Sequence, residues 1–416
     1  MEDQGSPGWQ RNNFAAMLVS FLLTATFSFT YPFLPLYIQE IDGSTGEQAA
    51  MWAGISVGAQ GLGAFISGPI WGIAGDRYGR KPMLVRACLG GATGLLLLGL
   101  ATSTWQIVAI RLFIGLMAGS AAAAMALIAA GTPGKLIPRS IGRFQGVSLA
   151  GLALGPLIAI GFVASLGYRT TFIVAGVLMY SGSIVAMIMI REPKKSLAPA
   201  HSSKKQGFRS VLRAPITWAA LGLVLCLSFA GPMIQTILAP YVVTMLPEGS
   251  DPTVIVGLMF FGIAAASAFA AVSAGRIIGR IGIQMSLLAA TIGVALFLFP
   301  MGLVQSVAAL AFLVVVMSLF QGVLQTSSAT LLPTLVSATA LSSIFGLYQS
   351  VQALSGQMGP ALGGIIAANI GFRAVFPLAA ISLLLLGLPM FWIFKRVAAR
   401  MAPIEDAVEV DAHPLN

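Results

Sequence analysis

Apolar residues run along this chain in long blocks, and polar residues are confined to the gaps between them. Twelve apolar segments can be drawn, at about 13–38, 49–74, 83–101, 105–130, 141–165, 171–190, 216–245, 252–275, 283–304, 307–334, 341–368 and 372–395. Each approaches or exceeds the ~20 residues with which a helix crosses a bilayer. In hydrocarbon every backbone polar group must be satisfied internally, so each block is predicted to be helical. The widest gap, 191–215, is polar and basic, with Lys194, Lys195, His201, Lys204 and Lys205, and it divides the chain into six segments plus six. The pattern predicts an all-α polytopic membrane protein of twelve transmembrane helices in two six-helix bundles. An N-terminal bundle is expected over 1–190, a cytoplasmic basic linker over 191–215, a C-terminal bundle over 216–396 and a disordered cytoplasmic tail over 397–416.

Composition closes the main alternatives. Hydrophobic residues make up 57% of the 416 and charged residues 9%, with a mean hydropathy of +0.91. An average soluble protein carries roughly 25% charged residues, so a soluble globule is excluded. Cys88 and Cys226 lie in separate apolar segments and are expected as buried free thiols, which excludes a disulfide scaffold. The net charge of +10 changes meaning once it is placed. With the N-terminus cytoplasmic, every Lys and Arg except Arg111, Arg169 and Arg373 falls on the cytoplasmic side, and both termini lie there. The basic excess is then an orientation signal facing anionic lipid head groups, and no nucleic-acid partner is expected. The first segment is too long for a cleavable signal core and reads as an uncleaved anchor.

The two halves repeat weakly. Gly155-Pro156 returns as Gly359-Pro360, Gly167-Tyr168-Arg169 as Gly371-Phe372-Arg373, and Gly142 and Gln145 as Gly346 and Gln349, all at a shift of 204. Gly72, Arg77 and Gly79 return as Gly275, Arg280 and Gly282 at a shift of 203. An even number of crossings per half makes these parallel repeats, so the two bundles are expected to be pseudo-symmetric with a substrate site between them near the midplane.

The most specific stretch is Gly72-Ile-Ala-Gly75-Asp76-Arg77-Tyr78-Gly79-Arg80-Lys81, between the second and third crossings. It resembles the signature loop of the major facilitator superfamily, G-x-x-x-D-R-x-G-R-[KR]. The resemblance implies a conformational latch made by Gly72, Asp76, Arg77, Gly79, Arg80 and Lys81, with the acid facing the N-terminus of the eleventh helix in the other half. In the fifth crossing, Gly151-Leu-Ala-Leu-Gly155-Pro156 is similar to the G-x-x-x-G-P motif of the superfamily's antiporters; it also reads as an ordinary small-residue contact beside a proline kink. Arg111 lies about 9 Å inside the fourth crossing, counting from Trp105. Such a charge faces the bundle interior or snorkels to the outer interface. Arg111-x-x-x-Gly115 resembles the superfamily's fourth-helix motif, whose arginine is linked to proton movement. The resemblance covers essentially the whole chain and is closest to multidrug exporters of the MdtG type in the drug:proton antiporter branch with twelve helices. It implies a secondary transporter exporting lipophilic or amphiphilic small molecules, a proton gradient in place of a cofactor, a monomer, and the bacterial cytoplasmic (inner) membrane.

The cavity-lining helices of that superfamily supply candidate substrate contacts: Thr30 and Tyr31 on helix one, Gln235 and Thr236 on seven, Gln321 and Gln325 on ten, and Tyr348, Gln349 and Gln352 on eleven. Thr24, Thr26, Ser28, Tyr241, Ser318, Thr326 and Gln357 are further candidates. Many such groups serve instead as helix-to-helix hydrogen bonds. All thirteen acids fall in loops, in tails or at helix ends. That disfavours a permanently cationic substrate, which would be desolvated without a counter-charge. An importer or a lipid flippase for an anionic or zwitterionic amphiphile is the competing transport reading. A polytopic membrane enzyme is the reading from another class. No catalytic set or metal site is expected, since the only histidines are His201 in the linker and His413 in the tail. Gly134-Lys135-Leu136 lacks the Ser or Thr of a nucleotide-binding loop.

Overall fold

A computed structural model of the chain describes residues 8–133, 136–192, 215–331 and 341–410. Thirteen α-helices account for nearly all of them, and there is no strand among the described residues. The first crossing comprises α1 (Trp9–Thr30) and α2 (Leu34–Asp42). Pro32 and Pro35 remove two backbone donors between them, and the helix breaks at 31–33. Helix α3 (Gly46–Tyr78) starts on a capping box, in which Thr45 and Gln48 each accept from the other's backbone N–H. Helix α4 (Arg80–Leu100) is the third crossing. The fourth is split into α5 (Thr104–Leu116) and α6 (Ser120–Gly131). Helix α7 (Ile137–Met189) holds the fifth and sixth crossings, bent at Gly167.

The second half follows the same plan. Helices α8 (Pro215–Ser228) and α9 (Ala230–Val243) form the seventh crossing, and Pro232 leaves the Ser228 carbonyl without its usual donor at their junction. Helix α10 (Thr253–Leu298) holds the eighth and ninth crossings, bent at Gly282, and a 3-10 turn over Phe299–Gly302 extends it. Helices α11 (Val307–Leu331), α12 (Leu341–Ile370) and α13 (Phe372–Val410) complete the set. With α7 and α10 each crossing twice, the helices give the twelve crossings that the hydropathy predicts.

The internal repeat is written into the bends. Gly79 (φ 102°) and Gly282 (φ 79°) turn the second crossing into the third and the eighth into the ninth. Gly167 (φ 73°) and Gly371 (φ 99°) do the same between crossings five and six and between eleven and twelve. A left-handed backbone in a tight helix-to-helix turn is open to glycine at no steric cost, which is why these positions repeat.

Large apolar side chains cover the outside: Phe65 is 68% exposed, Ile188 73%, Leu303 72% and Val272 84%. A surface of this kind is solvated by lipid tails. One expectation needs correction: Cys88 is buried, but Cys226 is only half-buried; both are free. Helix α13 runs from Phe372 to Val410. The basic linker beyond Glu192 lies outside the described residues, as do Lys135 and His413.

Candidate functional site

The site is built around Arg111 on α5. Gly115, one turn on, has no room for a Cβ because the Gln60 carbonyl of α3 stands in the way, so α5 and α3 lie backbone to backbone. That approach brings Gln60 beside Arg111, and Arg111 Nη1 donates to Gln60 Oε1 at 2.8 Å. Arg111 is 1% exposed to the outside, which rules out the snorkelling alternative.

Just past this pair the fourth crossing is unwound at Met117–Gly119, with Gly119 at φ 118°. The carbonyls freed or strained there find donors. Ser67 Oγ donates to Gly115 O at 3.2 Å, Trp71 Nε1 to Leu116 O at 2.7 Å and Arg86 Nη2 to Ala118 O at 2.9 Å. Irregular backbone at membrane depth is tolerated only when satisfied in this way. Arg86 also lies over the Trp71 ring at 3.7 Å.

Arg111 and Gln60 open onto a cavity of about 470 Å³ shared between the halves. Crossings one, two, four and five line it from the first half, and seven, eight, ten and eleven from the second. Its polar groups are Thr24, Ser28, Tyr31, Gln60, Arg111, Gln235, Ser267, Ser318, Gln321, Gln325 and Gln357; Leu23, Phe27, Leu152, Phe260 and Met317 are among the apolar ones. No carboxylate lines it among the described residues. The volume is in the range of small-molecule sites, about 300–1,000 Å³.

Several predicted residues are brought together here and others are not. Tyr31, Gln235, Gln321 and Gln325 line the cavity. Thr30 does not: its hydroxyl donates back to the Thr26 and Phe27 carbonyls. Nor does Thr236, whose hydroxyl donates to the Pro360 carbonyl at 3.2 Å. Tyr348 and Gln352 also lie off the lining and bond each other, with Gln352 Nε2 donating to Tyr348 Oη at 2.7 Å. Which groups reach the cavity is set by how each helix is turned about its axis, since Thr24 and Ser318 also donate to carbonyls of their own helices and yet line it. The Gln349 side chain lies outside the described residues. Gln60 was missed, although it is the only amide within the apolar block 49–74.

The signature loop makes its described contacts within its own half. Glu192, at the end of the sixth crossing, accepts from the backbone N–H of Arg80 at 2.8 Å and of Lys81 at 2.7 Å. Its carboxylate thus caps the N-terminus of α4 beside Gly79. Lys81 Nζ donates to Met187 O at 2.7 Å, Arg80 Nη1 to Ala126 O, and Arg77 lies over the Tyr78 ring. The side chain of Asp76, and Gly72, lie outside what the structure describes.

Among the described residues the halves meet away from that loop. Pro360 of crossing eleven presses its carbonyl against Gly54 of crossing two, and Pro156 of crossing five presses its carbonyl toward Gly257 of crossing eight, 3.1 Å from where a Cβ would stand. Gly54 and Gly257 are 203 positions apart, so the two contacts are copies of one another. Further out, Gly364 meets Ala50 and Gly46 meets Phe372. The antiporter-like motif therefore does two packing tasks. Gly151 and Gly155 admit crossing one, since a Cβ on them would stand 2.8 Å from Phe21 O and 2.6 Å from Ala25 O, while Pro156 faces the other half. Gly359 and Gly363 receive crossing seven in the same way, at Phe229 and Met233. Toward the signature loop, in the paired crossings five and eight, Gly142, Gly146, Gly275 and Gly279 have nothing within 4 Å of a Cβ.

A cavity enclosed by two pseudo-symmetric six-helix halves, inside a lipid-facing exterior, defines a multi-pass membrane transporter of small molecules. The chain belongs to the Major Facilitator Superfamily, whose family model matches residues 16–299 and 224–413. It is similar to a multidrug resistance protein MdtG from Klebsiella pneumoniae (strain 342), 31% identical over 411 residues that cover 98% of each chain. The MdtG protein of Escherichia coli O17:K52:H18 (strain UMN026 / ExPEC) is 32% identical over 374 residues, covering 89% of this chain and 91% of that one. Among solved structures, a bacterial homolog to the human lysosomal transporter Spinster, in an inward-facing and unoccupied conformation, superposes with a TM-score of 0.79 at 16% identity. It covers 94% of this chain and 98% of that one. A point mutant of the nucleoside transporter NupG gives 0.76 at 13% identity, covering 92% and 99%.

Proposed function

We propose that this chain exports lipophilic or amphiphilic small molecules by alternating access, coupled to a proton gradient, from the cytoplasm across a bacterial cytoplasmic membrane. One observation carries the reading: a largely apolar, drug-sized cavity lies between two halves that touch at one end through a repeated Gly–Pro contact. Rocking the halves about the cavity would exchange its exposure from one face to the other. The names of relatives matched over nearly the full chain favour multidrug export. With the basic residues of the signature loop on the cytoplasmic side, the cavity faces the cytoplasm in this state and both termini are cytoplasmic. The loop at Gly72–Lys81 serves as the latch of the cycle, and the chain acts as a monomer.

The test is transport in proteoliposomes with an imposed pH gradient, against neutral, cationic and anionic amphiphiles. Gradient-dependent movement of a subset is expected. Movement no greater than in protein-free liposomes for every compound would sink the function, and movement indifferent to the gradient would sink the coupling.

A further inference from the structure

Crossing four is broken where its sequence favours helix. Between Arg111 and Met125 there is no proline, and Met117 and the run Ala121–Ala124 are good helix formers. In an unbroken helix the carbonyls of Leu116 and Ala118 would accept from the N–H groups of Ser120 and Ala122. Each accepts instead from a side chain of the hairpin that crossings two and three form: Trp71 Nε1 at 2.7 Å and Arg86 Nη2 at 2.9 Å. Ser67 adds a third bond, to Gly115 O. Beyond the break α6 begins without a side-chain cap, so its first turn gains nothing there to offset the lost helix bonds. The break therefore depends on three side chains, and Arg86 in turn depends on the break. Its Nε and Nη1 are buried without an acceptor, so among the described residues Ala118 O alone accepts from this guanidinium within a membrane segment. The Trp71 ring lies against it at 3.7 Å and holds it in place.

The clamp sits on a part of the first half that the second half leaves free. Crossing eleven presses on crossing two at Gly54 and as far along as Gly61, against which Gln357 packs. Gly68, between Ser67 and Trp71, has nothing within 4 Å of a Cβ, and neither has Gly356 of crossing eleven. Rocking that closes this end would bring crossing eleven against the stretch that carries Ser67 and Trp71. We propose that Arg86 is a positioning residue of the transport cycle. With Trp71 and Ser67 it holds crossing four broken at Met117–Gly119 while the end near the signature loop is open, and it lets the crossing zip into one helix when that end closes. Helix α6, beyond the break, is tied to the signature loop by Arg80 at Ala126 O and to α1 by Asn13 at Thr132. Breaking and zipping thus move α6 with the loop and leave α5, with Arg111, on crossing two. The proposal rests on the alternating-access reading above and adds a bistable element to it.

Two spin-label pairs test it by double electron–electron resonance on the full chain, with Cys88 and Cys226 replaced by Ala and with neither substrate nor pH gradient. Ala109→Cys with Ala129→Cys, exposed positions on either side of the break, reads crossing four. Thr170→Cys with Ser250→Cys, exposed on opposite halves at the other end of the molecule, reads the separation of the halves there. Arg86→Met removes the donor and the charge that needs the break. Gly119→Ala penalises the backbone at φ 118° and favours helix. Both are expected to give a new distance across crossing four, and with it a population of longer Thr170–Ser250 distances at least about tenfold above the wild-type level. Trp71→Phe, which keeps a ring and loses the N–H, should shift both pairs the same way by less. Arg86→Lys, which keeps a cationic donor, should lie between Arg86→Met and wild type. A crossing-four distance unchanged in folded Gly119→Ala and Trp71→Phe chains overturns the clamp. A changed distance there with the halves no further apart overturns its link to the cycle. Coupled shifts in a chain that moves no compound in proteoliposomes would remove the function and leave the clamp; transport without the shifts would do the reverse.

Discussion

Adding one methyl group at Gly54 should open the end of the transporter that is shut in this structure. A Cβ at that position would collide with the Pro360 carbonyl oxygen and come within 2.9 Å of Pro360 C and 3.0 Å of Ala361 Cα. All three are backbone atoms of the other half, so no rotamer change relieves the clash, and the halves must part there. Overpacking of this kind costs about 1–3 kcal/mol, charged only to the state in which Gly54 and Pro360 touch. The ratio of closed to open at that end should therefore fall by about 5–150-fold. At the copy of this contact, Gly257→Ala meets the Ile160 side chain first, and Pro156 O only at 3.1 Å. A side chain can move aside, so the shift should be smaller than for Gly54→Ala. Spin labels at Thr170→Cys and Ser250→Cys, exposed positions at that end of opposite halves, report the separation once Cys88 and Cys226 are replaced by Ala. Double electron–electron resonance should show a longer distance population in Gly54→Ala and a minor one in Gly257→Ala. An unchanged distribution in a folded, monodisperse Gly54→Ala chain would refute the view that this contact is the closure.

Two other perturbations follow from the loops. Glu192→Gln replaces one of two acceptors with a donor facing the N–H groups of Arg80 and Lys81, so the cap on α4 weakens by about 0.5–2 kcal/mol. A lowered thermal midpoint checks this, and a midpoint equal to wild type contradicts it. At the opposite end, burial raises the Asp42 carboxyl, but hydrogen bonds from the side chain of Thr104 and from Ser44 outweigh it and hold the group below its ordinary value of 3.8. A carboxyl lowered in the folded state contributes stability that is present above its unfolded value and lost as pH falls through the folded one. Acid unfolding below about pH 4 should thus be delayed in Asp42→Asn relative to its own neutral-pH stability, while the neutral-pH stability itself falls; parallel pH profiles for the two chains would disprove the contribution.

Much of the architecture could be read before any coordinates. Apolar block length alone separates helix from every other form in a bilayer, because no water is present to satisfy an open backbone. The repetition of Gly79 as Gly282 and of Gly167 as Gly371 was legible, and the structure uses all four at positive φ in turns, where glycine has no steric cost. Arg111 was legible because one charge in an apolar block has few places to go. Which polar side chains face the cavity was not legible. Thr30 and Tyr31 are neighbours, yet Tyr31 reaches the cavity while Thr30 bonds its own helix.

The hydropathy and glycine pattern thus set the number of crossings, their turns and the repeat, because those depend on local backbone chemistry and on the solvent. The Arg111–Gln60 pair joins residues 51 positions apart, and the Gly54–Pro360 contact joins residues from opposite halves. Both depend on how closely particular helices approach and on how each is rotated about its axis. Those quantities emerge from packing many side chains at once, and no single segment of the chain encodes them.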